Sequence, residues 1–201
     1  MTYDPLGRLL LTPVDQEAPD RVVRLRGLGL GERAEPALDA FAGEMARRTG
    51  APYAMVNFID ENRQFFAGLH APPGGGRGER SGWDGRGEWG EWDERGEQGG
   101  WSDRFMARDH GFCPYVVVRR KALVLEDVRD FPRFAGNALV DEVGIRSYLG
   151  APLIDRTGLA LGTVCVADTE PRRWGRAGLD TIKTFAAELM AQIRRREDGL
   201  G

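Results

Sequence analysis

Lysine is almost missing from this chain: of its 28 basic residues only Lys121 and Lys183 are lysine, and the other 26 are arginine. Such a bias marks a GC-rich coding sequence, so an actinobacterial or similar source is expected. Cysteine is nearly as scarce. Cys113 and Cys165 are too few and too far apart in sequence for a disulfide framework or a thiolate zinc site, and in a reducing cytosol both are expected to be free thiols. Histidine occurs only at His70 and His110. A metal site would need carboxylates or thiols to complete it, no close cluster supplies them, and none is expected. No apolar run reaches membrane-spanning length, and the opening residues Met1 to Arg8 lack a basic segment followed by an apolar one. A cytoplasmic protein that does not act at a membrane is expected. Positive charge in excess is lacking too. The net charge of -3 gives no electrostatic reason to expect nucleic acid, and Arg194, Arg195 and Arg196 read as cations closing a helix, where they suit its dipole. A phosphate loop is also absent, since Gly74-Gly75-Gly76-Arg77-Gly78 neither leads from a strand into a helix nor carries Gly-Lys-Ser/Thr.

What is present suits one soluble globular domain with extra sequence: 201 residues, 41% of them apolar and 29% charged. Residues 1–31 mix prolines and glycines with Arg21, Arg24 and Arg26, show no sustained periodicity, and are expected to be a loosely ordered arm. From Glu35 the pattern changes. Leu38, Phe41, Met45 and Arg48 fall on one face of a helix opened by Pro36 and closed by Gly50. Tyr53-Ala-Met-Val-Asn-Phe-Ile-Asp60 and Arg63-Gln-Phe-Phe-Ala-Gly68 read as a hairpin. Pro72 to Asp103 carries eleven glycines together with Trp83, Trp89, Trp92 and Trp101 among charged residues. It cannot build a core of its own and is expected to be a flexible insertion, at about 70–104.

Beyond it, Phe112 to Val118 is too short to classify by period, and Ala122 to Glu126 reads as a strand. Phe131 to Phe134 and Asn137 supply turn chemistry. Ile145 to Ile154 and Leu159 to Ala167 are two strands joined by a turn ending in Gly158. A last helix begins near Arg176 to Asp180, and its apolar positions Leu179, Ile182, Ala186, Leu189 and Ile193 step by three and four, a seam suited to packing on another helix. Residues 197–201 are a tail.

The order of these elements, and the wording of five segments, resembles the GAF family: Thr49 to Phe66, Arg108-Asp-His-Gly-Phe-Cys113, Val124 to Phe134, Gly144 to Leu153, and Gly158 to Asp168. The resemblance covers 32–196 apart from the insertion. It implies an α+β fold: a central antiparallel sheet of five or six strands, with the N- and C-terminal helices on one face and pocket-forming loops over the other. It further implies a signalling module that catalyses nothing and takes no fixed cofactor. Such a module binds an unidentified small molecule or a signalling protein, such as a member of a histidine kinase or small GTPase system, or pairs as a homodimer. The expected pocket residues are Phe66, His110, Phe112, Cys113, Tyr115, Phe134, Arg146 and Tyr148. The expected dimer or partner seam is Leu38, Phe41, Met45, Leu179, Ile182, Leu189 and Ile193.

Alternatives stay open. A branch of the family reduces free methionine-R-sulfoxide with pocket cysteines. Cys113 falls where that branch carries one, but Phe134 to Gly144, where the catalytic cysteine belongs, has none, and Cys165 reads as a buried strand residue. Cys113 is expected to fill space as a small hydrophobe, with redox sensing and bilin attachment as other roles. His110 is expected to be structural, with haem ligation as its alternative. Arg146 offers an anion contact or a pairing with Asp141 or Glu142. A pocket occluded by its own side chains would leave a protein-interaction module.

Overall fold

The computed structural model of the chain describes residues 12–72, 104–134, 137–141 and 143–199. The tryptophan-rich insertion at 73–103, residues 1–11 of the arm and residues 200–201 of the tail lie outside them. Pro36 opens helix α2 (Pro36–Thr49), where its fixed φ and missing N–H cost nothing, and Gly50 closes it in the left-handed conformation at φ 67°. Strands β1 (Tyr53–Ile59) and β2 (Arg63–His70) form the expected hairpin. In its turn the Asp60 carboxylate accepts the backbone N–H groups of Asn62 and Arg63, both at 2.7 Å. The chain then runs through β3 (Phe105–Ala107), α3 (Cys113–Arg119), β4 (Leu123–Leu125) and two single 3-10 turns at Val128–Asp130 and Pro132–Phe134. It ends with α4 (Ala138–Asp141), β5 (Ser147–Ile154), β6 (Ala160–Asp168) and α5 (Gly175–Glu197). One antiparallel sheet results, in the order β3-β2-β1-β6-β5-β4.

The two central strands explain the layering. All nine residues of β6 are buried, so this strand is largely apolar, with Thr163 and the terminal Asp168 as its polar members, because both of its faces are covered. Val164 and Val166 of β6, with Val56 and Phe58 of β1, face α2 and α5 in one hydrophobic cluster. Cys165 and Ala167, with Met55 and Ile59, face α3 and the 3-10 turns in a second cluster. This is the α+β architecture that the sequence led us to expect. β6 also approaches β1 closely. A Cβ on Gly162 would lie 2.0 Å from the Asn57 carbonyl oxygen, so only glycine lets the two strands meet there.

Two readings of the sequence need correction, and one stretch left open is settled. The arm was expected to be loose, yet residues 18–27 of it form helix α1 (Ala18–Gly27), with Ala18, Arg21 and Leu25 buried on one face. Its anchor is an arginine, and arginine carries no hydrophobic signal. Arg21 is fully buried, pairs with Asp15, and donates from Nε to the Ile59 carbonyl at 3.2 Å. Arg24 reaches Asp155 in the β5–β6 turn at 2.7 Å and Glu197 at the end of α5 at 2.9 Å. The unclassified stretch after Gly111 is helical as α3, opened by Pro114 and stopped at Arg120 in the left-handed region. Second, the helical seam expected to dock a partner is spent inside the chain. Leu38, Met45, Ile182, Leu189 and Ile193 all belong to the cluster under α2 and α5, because the sheet is the helix-packing partner that the spacing calls for. Phe41 is half-buried against Phe185, edge to face at 5.5 Å, and Leu179 is half-buried as well. Among the described residues no helix is long and apolar enough to cross a membrane.

Removing one member of a buried ion pair strands the other, at a cost of roughly 3–5 kcal/mol. Arg108 remains 3.3 Å from Asp15, so Arg21→Met should lose about 3 kcal/mol, the lower end of that range, in urea unfolding. A loss below about 0.5 kcal/mol, the scale of an ordinary surface substitution, would detach α1 from the folded unit.

Candidate functional site

On the sheet face opposite α2 and α5 five buried aromatic residues converge. Phe66 of β2, Tyr148 of β5, Phe112 before α3, Cys113 and Tyr115 within it, and Phe134 all share one buried cluster. Of the eight expected pocket residues, these are the six that the fold brings together. Their rings fill the space. Phe112 lies 5.0 Å from Tyr148 and, edge-on, 5.4 Å from Phe134, while Tyr115 meets Phe134 edge-on at 5.0 Å. The cavity left among Phe66, Phe112, Cys113, Tyr148, Cys165 and their neighbours is about 20 Å3, room for one molecule of about water's size.

The other two expected residues sit elsewhere. His110 contributes its backbone, accepting a hydrogen bond from Gln64 Nε2 at 2.6 Å, and its imidazole, partly exposed beside Asp109, is not among the residues lining the cavity. A cavity of this size fits neither haem nor a bilin. Arg146 is committed to Asp127, its Nε donating to Asp127 Oδ1 at 3.0 Å and its Nη2 to Oδ2, while Glu142, a partner considered from the sequence, lies outside the described residues. The bonded guanidinium holds the Asp127 carboxyl below the usual carboxylate range. Asn137, read from sequence as turn chemistry, does more. Its side chain donates to the Gly111 carbonyl at 3.0 Å and accepts from the Gly111 N–H at 3.1 Å and the Leu139 N–H at 3.0 Å. One amide thus caps α4 and ties it to the loop before α3.

Cys165 is the site residue that sequence reasoning missed. It lies 52 residues from Cys113 along the chain, yet the two sulfur atoms are 3.7 Å apart. The available signal was strand alternation, which puts Cys165 on the same face of β6 as Thr163 and Ala167; nothing local says that α3 starts directly above. The Tyr148 hydroxyl completes the cluster, 3.3 Å from Cys113 Sγ. Tyr148 reaches it by lying over Gly150, whose Cβ, if it had one, would be 2.2 Å from the phenolic oxygen. Nearby, Asn57 donates to Gln64 Oε1 at 2.9 Å, while the buried Asn57 Oδ1 and Thr163 Oγ1 have no hydrogen-bond partner among the described residues.

The cysteines titrate as a pair. The hydrogen bond with Cys165 is the largest influence on Cys113; burial opposes it, and the polar side chains of Thr163, Tyr148 and Asn57 add to it. Together they hold the Cys113 thiol down to about 6, while the same hydrogen bond, followed by burial, pushes Cys165 well above the ordinary thiol value. Burial likewise pushes the Tyr148 hydroxyl well up, so it stays protonated and is able to donate to a Cys113 thiolate. Thiolate absorbance should therefore titrate with one midpoint near 6. Cys165→Ala should move it upward, toward the ordinary thiol value of about 8.5, because the largest stabiliser of the thiolate is gone. A wild-type midpoint already at the ordinary value, or one that the variant leaves in place, would contradict this arrangement.

Comparison with known proteins agrees with this architecture. The chain is 27% identical over 183 residues to a cyclic di-GMP phosphodiesterase of Pseudomonas aeruginosa, a match covering 90% of this chain and 26% of that protein. It thus spans about a quarter of that relative's length. Among solved structures, free methionine-R-sulfoxide reductase from Neisseria meningitidis superposes with a TM-score of 0.57 at 12% identity, covering 96% of this chain and 99% of the other. A domain of a putative two-component sensor histidine kinase protein from Sinorhizobium meliloti superposes with a TM-score of 0.52 at 17% identity, covering 84% and 97%. At such identities the structures speak for the fold alone. The model of the GAF domain matches residues 33–193, most of the chain, and with the sheet order, the layering and the pocket face described above, this chain belongs to the GAF domain family.

Proposed function

We propose that this domain is a non-catalytic regulatory module of cytoplasmic signal transduction that acts through a protein partner and holds no resident small molecule. The observation that carries this reading is the occlusion of the pocket face. Phe112, Tyr115, Phe134 and Tyr148 pack on one another where a ligand would sit, leaving about 20 Å3, against the roughly 300–1,000 Å3 of ordinary ligand sites. Admitting a nucleotide or amino acid would mean expelling at least two buried rings, at about 1.5–3 kcal/mol of lost burial for each.

The open feature lies on the helix-bearing side. A groove of about 630 Å3 runs between α5 and the outer part of β5, floored by residues such as Ala151, Pro152, Leu179 and Met190 and rimmed by Lys121, Lys183 and Arg194. β4 pairs with β5 only at Tyr148, Leu149 and Gly150, so the later residues of β5 leave this side uncovered. An apolar floor with a cationic rim suits a partner segment that carries both apolar and acidic side chains. The similarity to part of a cyclic di-GMP phosphodiesterase supports a place beside second-messenger machinery.

Native mass spectrometry of the protein purified from its own host tests this directly. The expected mass is that of the polypeptide with no retained organic molecule; a stoichiometric ligand would overturn the reading. Incubated with free methionine-R-sulfoxide and a thiol reductant, the protein should give no turnover, and formation of methionine would refute the non-catalytic assignment.

A further inference from the structure

Two thiols on the wall of one small cavity are more than packing requires. Alanine or valine would fill an apolar position beneath α3 as well, and neither sulfur takes part in the Asn137 bridge or the Asn57–Gln64 contact that hold the surrounding loops. The sulfurs come from different elements, α3 and β6, and stand 3.7 Å apart. A disulfide bond is about 2.05 Å long, so bonding asks for an approach of about 1.7 Å. The cavity that both cysteines line, about 20 Å3, admits a molecule only a little larger than water. Its chemistry also points to one class of visitor. The Tyr148 hydroxyl, 3.3 Å from Cys113 Sγ, offers an O–H donor beside the sulfur, and the other walls are apolar side chains such as Met55, Phe66, Met106 and Phe112. A small, neutral, hydrogen-bonding oxidant can enter such a place; an ion or a bulky molecule is kept out.

We propose that Cys113 and Cys165 are a redox couple that closes to an intramolecular disulfide on reaction with a small hydroperoxide. In the first step the Cys113 thiolate attacks one peroxide oxygen and the O–O bond breaks. The departing oxygen takes the proton released by the Cys113 thiol and leaves as an alcohol, or as water when the oxidant is hydrogen peroxide. Cys113 is then a sulfenic acid. In the second step the Cys165 sulfur attacks the Cys113 sulfur and the S–O bond breaks. The hydroxide leaves with the Cys165 proton as a second water. Two thiols have given up two electrons and two protons, and the peroxide has accepted them. The division of roles follows from the site: Cys113 is the thiol whose surroundings favour the thiolate, and Cys165 the one kept protonated until it attacks.

Closure would pin the first turn of α3 to the middle of β6. Phe112 immediately precedes that turn and Tyr115 lies within it, so the ring packing that plugs the pocket would register the oxidation. The proposal rests on the cavity and the two sulfurs, so it stands or falls separately from the partner-docking reading above.

The test is peroxide titration of the fully reduced protein, followed by intact mass measurement and peptide mapping without reductant. A modest molar excess of hydrogen peroxide should remove two hydrogen atoms from nearly every chain and yield one joined pair of peptides, Cys113 with Cys165 in the same molecule, reversed by dithiothreitol. Cumene hydroperoxide at the same concentration should react at least about ten-fold more slowly, because its bulk cannot enter the cavity. In Cys165→Ser, Cys113 should gain one oxygen atom, trapped by dimedone when the protein is unfolded in its presence; in Cys113→Ser neither product should form. The wild-type mapping needs no variant, so a misfolded mutant does not protect the idea. Survival of both thiols in the folded protein, a disulfide formed between chains, equal rates with the two peroxides, or oxidation of Cys165 in Cys113→Ser as fast as that of Cys113 in Cys165→Ser would each overturn it.

Discussion

Burial of β6 on both faces is the constraint on which the rest of this molecule depends. A strand covered by α2 and α5 on one side and by α3 and the 3-10 turns on the other has no exposed edge to hydrate. Every group it carries must be apolar, paired or kept at a free-energy cost. The helix side takes the first option at Val164 and Val166 and the second at Asp168, which pairs with Arg172. The pocket side takes the second and third: Cys165 with its sulfur neighbour, and Thr163 with an unsatisfied oxygen. The close approach at Gly162 makes this arrangement stiff, since β1 and β6 meet with no side chain to act as a spacer. The polar cluster around Asn57 is thus enclosed between the two central strands of the sheet.

Dryness also changes what the cysteines mean. In water two thiols at this distance would perturb one another by only about 1 kcal/mol. Here each is fully enclosed, so the first proton to leave is shared out by geometry and the second is retained. The occlusion that argues against a resident ligand is therefore the same feature that gives the dithiol its chemistry.

Local signals in the sequence reached the regular elements well. The apolar spacing in Leu38 to Met45, the alternation in Tyr53 to Ile59, and the turn residues Gly50 and Gly158 each act within a few positions, and the structure keeps them. Long-range pairings were not legible. Arg21 looks like a surface cation until Asp15 and the end of β1 close over it, and the arm was misread for that reason. The three-and-four spacing of Ile182, Leu189 and Ile193 was read correctly as a packing seam but given the wrong partner, because periodicity tells that a face is buried without telling against what. For the pocket, aromatic residues near matching segments were enough to find the six that gather. Arg146 was drawn to Asp127 by a contact that its neighbours in sequence do not hint at, and Cys165 came under Cys113 only through the sheet order.

Gly150 carries a consequence that reaches beyond this one chain. The phenol of Tyr148 lies in the space that a methyl group at 150 would occupy, so the two positions, both on β5, are not free to vary separately. Relatives that place alanine or anything larger at 150 have to surrender a large ring at 148, or swing it out over the neighbouring strand. Relatives that keep a small residue at 148 lose the reason for glycine at 150. Across the family these two positions should therefore change as a linked pair, and the depth of the pocket floor should follow them.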